Sequence, residues 1–372
     1  MADPQQPLTV RLSEPGEVVA ALPHLLGFRP RESLVLVSLR GPQGRRLGLT
    51  ARVDLPPPEH RRQVVSGLVR SLLTDRPGAA LLVVVSEAAD EAAVPVGPLD
   101  APHLDHLDLA HRDLSHRDLA HRDLAHEVVL ALDAVGVPLR EALLVRRDRW
   151  WSYDCTAACC APEAGTPLPA GTSELAAASV VDGRLVEDER AALARRIAPV
   201  GFLAAEAMAR ACDEVGDELA RRTAELGWDV LVEEGWAAVR AAVEAAGPEV
   251  RGGRLSDREV ARLAWGLRDH DLRDRALTLS LGDAAAAAEV VWTELTRRSP
   301  APLDAAPATL LAVSAWVRGD GALANVALER ALHSEPSYTF AGLLRSALDA
   351  CLSPAEMRRL IRQATGPLDA RW

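Results

Sequence analysis

Apolar positions in the first 150 residues fall into short runs of two kinds. Residues 33–39 (SLVLVSL) and 47–53 (LGLTARV) flank Gly41-Pro42-Gln43-Gly44 and predict two strands joined by a hairpin. Residues 79–85 (AALLVVV) are continuously apolar, as in a strand buried on both faces. Between these runs, residues 59–74 carry Val64, Val65, Leu68, Val69 and Leu72 at helical spacing. A short extended stretch over 8–12 precedes Ser13-Glu14-Pro15-Gly16-Glu17, which predicts a helix over 17–26 with Ser13 as N-cap and Gly27 as its stop. A further helix reaching about Gly136 leads to a strand over 141–147. Strands alternating with helices predict an α/β N-terminal layer, a mixed sheet with flanking helices and at least one parallel pair.

After residue 174 the period changes. Helical patterns follow one another over 187–197, 202–226, 229–246, 257–268, 272–281, 284–298, 308–318, 322–334, 338–351 and 355–363. Ser256-Asp257-Arg258-Glu259 has the spacing of a capping box. The division expected is an α/β domain over 1–160, a Pro/Gly/Ala-rich linker over 161–173, and an all-helical C-terminal array over 174–372. Within the array, 309–336 reads as helix, Gly319-Asp320-Gly321 turn, helix, with Ala327, Ala331 and a closing Pro336. This resembles half of a tetratricopeptide unit, although only one copy is visible and a generic helical hairpin explains it more simply.

Composition narrows the chemistry. All 42 basic residues are Arg, Asn occurs once and Ile twice, which fits codon bias in a GC-rich genome. Without Lys, Schiff-base chemistry and a P-loop lysine are excluded. The net charge of −11 argues against a general nucleic-acid binder, because phosphate neutralisation needs surplus positive charge. No apolar run is long enough to span a membrane, and the N-terminus lacks the basic start and apolar stretch of a signal peptide; the expectation is cytoplasmic.

Residues 103–126 repeat every five positions, with His-Arg-Asp-Leu at His111, His116 and His121. The match to a kinase catalytic loop is spurious, since the Asp-Phe-Gly, the Gly-rich loop and the Lys are all missing. Six of the ten histidines lie here, but on a helix a five-residue step turns each by about 140°, so the imidazoles spiral instead of converging on a metal. A solvated low-complexity insertion is the expectation.

Two constellations remain as candidates. Cys155, Cys159 and Cys160 put three thiols within six residues. Zinc would use them as ligands, yet no fourth Cys or His stands nearby in sequence, and simple packing or redox chemistry are the alternatives. Cys212 and Cys351 fall in helical patterns and read as core. The second constellation is Arg29 and Ser33 with Arg52 and Asp54 at the end of the second strand, either an ion-pair network or a small-ligand site at strand ends. Trp150 and Trp151, behind Arg146-Arg147-Asp148-Arg149, could stack on a ligand or cover a strand end.

Several segments together resemble an actinobacterial family, the domain of unknown function DUF4192. They are LPHLLGFRPRESLV from Leu22 to Val35, ARVDLP from Ala51 to Pro56, and RWWSYDC from Arg149 to Cys155 with Cys159, Cys160 and Pro162. The resemblance continues in LRDRAL from Leu272, GDGA from Gly319 and ALERAL from Ala327 with Pro336. It implies a bacterial cytoplasmic protein and supplies no reaction; the His-Arg-Asp-Leu repeat departs from it. The function expected is therefore a non-enzymatic interaction, scaffold or regulatory protein that meets a protein partner through its helical domain. The alternative is an enzyme or small-ligand sensor with a pocket near Arg29, Arg52, Asp54 and the three cysteines. No cofactor is expected beyond the zinc alternative at the thiols.

Overall fold

The computed structural model describes residues 14–41, 46–90, 119–155, 157–161, 163–169, 186–247 and 255–364. The chain divides into two compact units, 1–189 and 190–372. The stretch over 8–12, the hairpin turn at 42–45 and most of the His-Arg-Asp-Leu repeat lie outside the described residues.

In the first unit the elements are α1 (Pro15–Leu26), β1 (Ser33–Arg40), β2 (Arg46–Asp54), α2 (Arg61–Leu73), β3 (Ala79–Val85), α3 (Arg122–Asp133), β4 (Leu139–Arg146), β5 (Arg149–Ser152) and β6 (Thr166–Pro167). The six strands form one sheet in the order β2-β1-β3-β4-β5-β6. Only the β3–β4 pair is parallel, and α3 is the helix of its crossover. Alternate side chains of the central strands go to opposite faces. Leu34, Leu36, Leu82, Val84 and Leu144 meet α2 and α3, while Val35, Val37, Leu81, Val83 and Val145 meet α1. Covering both faces is why β3 reads as an unbroken apolar run and β1 as one interrupted only by Ser38.

Helix α1 starts two residues earlier than the pattern predicts, because Glu14 caps it: its N–H donates to the Glu17 carboxylate at 3.3 Å. Strand β2 carries a bulge opposite Val37 and Leu39. There the Asp75 carboxylate accepts from Ser38 Oγ at 2.6 Å and from Leu49 N–H at 3.0 Å. Gly48 is required at this point, since a Cβ would stand 2.0 Å from that carboxylate.

Two boundaries move. Thr166 and Pro167, expected in a linker, pair with Trp150 and Arg149 as the sheet's last strand, and Glu187 bridges Phe28. The sheet unit therefore runs past 160 to residue 189. The last His-Arg-Asp-Leu copy, from His121, is likewise part of the fold rather than of a solvated insertion: Leu124 and Ala125 are buried, as are Leu119 and Ala120 just before it, and α3 begins at Arg122.

The second unit contains α4 (Arg190–Arg196), α5 (Phe202–Leu226), α6 (Trp228–Ala245), α7 (Asp257–Gly266), α8 (His270–Leu277), α9 (Ala285–Arg298), α10 (Ala305–Arg318), α11 (Gly321–Ser334), α12 (Thr339–Asp349) and α13 (Pro354–Ala364). Among the described residues no strand occurs in it. Helix α10 is buried from Ala305 to Val317 and packs against α9, α11 and α13. The hairpin expected over 309–336 is α10 and α11, turned by Gly319 at φ 91° and capped by Asp320, whose Oδ1 accepts the Leu323 N–H at 2.9 Å. Ser256 and Glu259 form the predicted capping box of α7. Cys212 is buried, whereas Cys351 is not core: α12 ends at Asp349, and Cys351 sits half-buried in the following turn at φ 54°.

Candidate functional site

Three groups of polar side chains stand around the ends of the sheet. The first gathers where β1 begins and β2 ends, since the register places Ser33 opposite Asp54 and Val35 opposite Arg52. Arg52 Nε donates to Ser33 Oγ at 2.8 Å, its Nη2 lies 2.6 Å from Asp54 Oδ1, and its guanidinium lies over the Phe28 ring at 5.6 Å. Ser33 in turn donates to the Arg31 carbonyl at 2.5 Å. Ser33, Arg52 and Asp54 thus come together and satisfy one another. Arg29 does not join them. It is mostly exposed and pairs with Asp188 at 3.8 Å.

The second group, at the end of β3, was not visible in the sequence pattern. Ser86 Oγ donates to Glu32 Oε2 at 2.8 Å, accepts the Ala88 N–H at 3.1 Å and lies 2.9 Å from His121 Nε2. Since the hydroxyl proton points to the carboxylate, Nε2 carries the proton of its own bond to Ser86. The hydroxyl is held between carboxylate and imidazole, with its proton on the Glu32 side. This is a structural rivet. It holds Glu32 and His121 in left-handed backbone conformations, at φ 38° and 60°. The one signal available was Ser86 itself, the first polar residue after a fully buried strand.

The third group is the thiol cluster. Strand β5 runs from Arg149 to Ser152, and the chain then turns through Tyr153 and Asp154 into a 3-10 turn at Ala158–Cys160. Trp151 and Tyr153 are buried; the Trp151 indole donates to the Ala161 carbonyl at 3.0 Å and the Tyr153 hydroxyl to the Ala120 carbonyl at 2.6 Å. Trp150 packs on the other face, against Gly16 of α1. Trp151 is therefore a core residue, and Trp150 is half-buried against α1.

Held this way, Cys155, Cys159 and Cys160 bring their sulfurs within 4.8 Å of one another, with Cys159 and Cys160 at 4.0 Å. The Ala157 N–H donates to Cys155 Sγ and the Ser152 N–H to Cys160 Sγ, each at 3.4 Å. Cys160 is buried, Cys155 half-buried and Cys159 exposed. The Ala157 N–H is the main cause that lowers the Cys155 pKa, whereas burial pushes the Cys160 thiol up to about 12. Tetrahedral zinc with Zn–S bonds of about 2.3 Å needs sulfurs about 3.8 Å apart, so these thiols would close by less than about 1 Å. Backbone N–H groups aimed at the sulfurs supply the outer shell that metal-bound thiolates require.

The thiols and the Arg52 group do not share a pocket. Strand β2 stands four strand spacings from β5, roughly 19 Å at about 4.8 Å each. A single site made from Arg29, Arg52, Asp54 and the cysteines is thereby dismantled.

Fold and geometry define a two-unit chain, a mixed α/β unit with a three-thiol turn followed by an all-helical unit. The family model described as domain of unknown function (DUF4192) matches residues 15–355, and the chain belongs to that family. No curated protein matches the chain, and neither does any solved structure. No helix among the described residues is long and apolar enough to cross a membrane.

Proposed function

We propose that this protein is a non-enzymatic binding protein whose N-terminal unit holds one zinc-class ion through Cys155, Cys159 and Cys160. The convergence of three sulfurs within 4.8 Å carries the reading. The ion fixes the turn that leaves β5, and the helical unit is the part that meets a protein partner. Support for the non-enzymatic side comes from the strand ends, where Arg52 and Ser86 are spent on neighbouring protein groups. A reducing cytoplasm suits the reading, because the thiols must stay reduced to bind metal, and the Arg-only composition suits a high-GC bacterial origin.

Metal analysis of the full chain, purified under reducing conditions without added metal, tests it. The expected result is close to one equivalent of zinc per chain, lost in the Cys155→Ser/Cys159→Ser/Cys160→Ser variant. A chain that carries no zinc and fails to take it from a chromophoric chelator overturns the reading.

A further inference from the structure

The three thiols differ in access and in the pairs they can form. Cys159 is exposed, Cys155 is half-buried, and Cys160 is buried with its sulfur accepting the Ser152 N–H at 3.4 Å. An oxidant arriving from solvent therefore meets Cys159 first. Its sulfur stands 4.0 Å from that of Cys160, but the two residues are consecutive and joined by a trans peptide. Consecutive Cα atoms lie about 3.8 Å apart, whereas a disulfide usually spans about 4.4 to 6.8 Å between them. Cys159 and Cys160 are thus too close along the chain to pair without strain. Cys155 is free of that constraint, and its sulfur lies within 4.8 Å of the other two. Closing from there to an S–S bond of about 2.05 Å is a movement of less than about 3 Å, the scale of a rotamer change.

We infer that Cys159 and Cys155 are a site of oxidation by hydroperoxides, joining as a disulfide that leaves Cys160 reduced and releases the metal ion. The release rests on the metal reading above, since the ion loses two of its thiolate ligands; the pairing rests on the placement of the sulfurs alone. In the first step the Cys159 thiolate attacks a peroxide oxygen, so that an S–O bond forms, the O–O bond breaks and hydroxide leaves. The Cys155 thiolate then attacks the sulfenic sulfur of Cys159; the S–S bond forms, the S–O bond breaks and a second hydroxide leaves. The thiol pair is oxidised by two electrons, and hydrogen peroxide, with two protons, is reduced to two waters.

The full chain, loaded with zinc and freed of reductant, is treated with hydrogen peroxide beside a chromophoric zinc chelator. Remaining thiols are blocked with iodoacetamide in denaturant, the disulfide is reduced, and the thiols it frees are labelled with N-ethylmaleimide. The expected result is zinc release in step with disulfide formation, maleimide on Cys155 and Cys159, acetamide on Cys160, and zinc binding regained after reduction with dithiothreitol. In the metal-free chain, Cys155→Ser should instead halt Cys159 at the sulfenic acid, trapped as a dimedone adduct. Maleimide on Cys160, acetamide on all three cysteines after a tenfold excess of peroxide, or zinc retained once the disulfide has formed overturns the inference and leaves the metal reading standing. A chain that takes up no zinc yet forms the Cys155–Cys159 disulfide overturns the metal reading, and the release with it, while the pairing stands.

Discussion

The indole Nε1 of Trp151 reaches the carbonyl of Ala161 across 3.0 Å, tying the middle of β5 to the residue that follows the last cysteine of the turn. Gly165 makes room for the ring: it sits at φ +67°, and a Cβ there would lie 2.4 Å from Trp151 Cζ2. Trp151→Phe removes the donor and keeps most of the ring. It should cost about 1 kcal/mol in urea unfolding, the price of an unmade bond to a part-buried carbonyl. Gly165→Ala must displace a ring that is itself core, at a backbone angle a side chain disfavours, and should cost about 2 to 4 kcal/mol. If Gly165→Ala proves the milder variant, the turn is not seated on Trp151.

Cys212 supplies a contrast with the exposed Cys159. It is 2% exposed, and burial is the largest cause of a pKa raised from 9.0 to about 11. Iodoacetamide near pH 8 should modify Cys159 in the native, metal-free chain and leave Cys212 untouched until denaturant is added, as peptide mass mapping will show. The unfolded chain ionises this thiol near pH 9 while the folded chain still holds its proton. Its contribution to stability is therefore intact below pH 9 and declines from about pH 9 to 11. In Cys212→Ala the unfolding free energy should fall less steeply across that window.

How much of this was legible beforehand depended on whether a feature is periodic. Strands β1 and β3 and helices α5, α9 and α11 declare themselves by local repetition of apolar residues, and α7 by its capping box. Cys155, Cys159 and Cys160 were legible because they are close in sequence. Contacts between distant segments left no local trace. Nothing near Gly48 announces that Asp75 will enter the β2 bulge, and nothing near Glu32 announces Ser86 and His121. Arg29 and Arg52 looked like partners because both precede or follow strands that pair. The return of the chain to Glu187 beside Phe28 gave Arg29 a different carboxylate, Asp188. The repeat at 103–126 misled in the opposite way: its regularity concealed that the leucines of its last two copies, Leu119 and Leu124, are core residues.

At the start of α7 the Glu259 carboxylate accepts from the Ser256 N–H at 2.7 Å, while Ser256 Oγ accepts the Glu259 N–H at 3.3 Å. Ser256→Ala should cost about 1 kcal/mol, as the loss of an N-cap does elsewhere. Hydrogen bonds from Ser256 hold the Glu259 pKa below 4.5. Its contribution is thus present above pH 4.5 and lost as pH falls through the lower, folded value. Acid titration of unfolding should show the native chain losing more stability below pH 4.5 than Ser256→Ala loses. Parallel acid limbs would mean that Glu259 holds its proton affinity independently of the cap.

Asp90 joins the described residues on either side of 91–118. Its Oδ1 accepts the Ala120 N–H at 3.2 Å, and its Oδ2 meets Arg146 Nη2 at 2.8 Å, while Arg146 Nη1 donates to the Ala88 carbonyl at 2.9 Å. Ala88, Asp90 and Ala120 are thus joined by contacts of their own, so shortening the chain between residues 90 and 119 should leave the fold standing. Replacing 91–118 by a Gly/Ser linker one quarter as long amounts to two halvings of a loop, about 1 kcal/mol in favour of the folded state. The unfolding midpoint should therefore stay or rise slightly, with the transition still cooperative. Asp90→Ala in the full chain acts the other way. It strips the carboxylate from Arg146, whose side chain is only 14% exposed, and should cost about 1 to 3 kcal/mol. A deletion variant that unfolds broadly, or loses more stability than Asp90→Ala, would show that 91–118 contributes to the core.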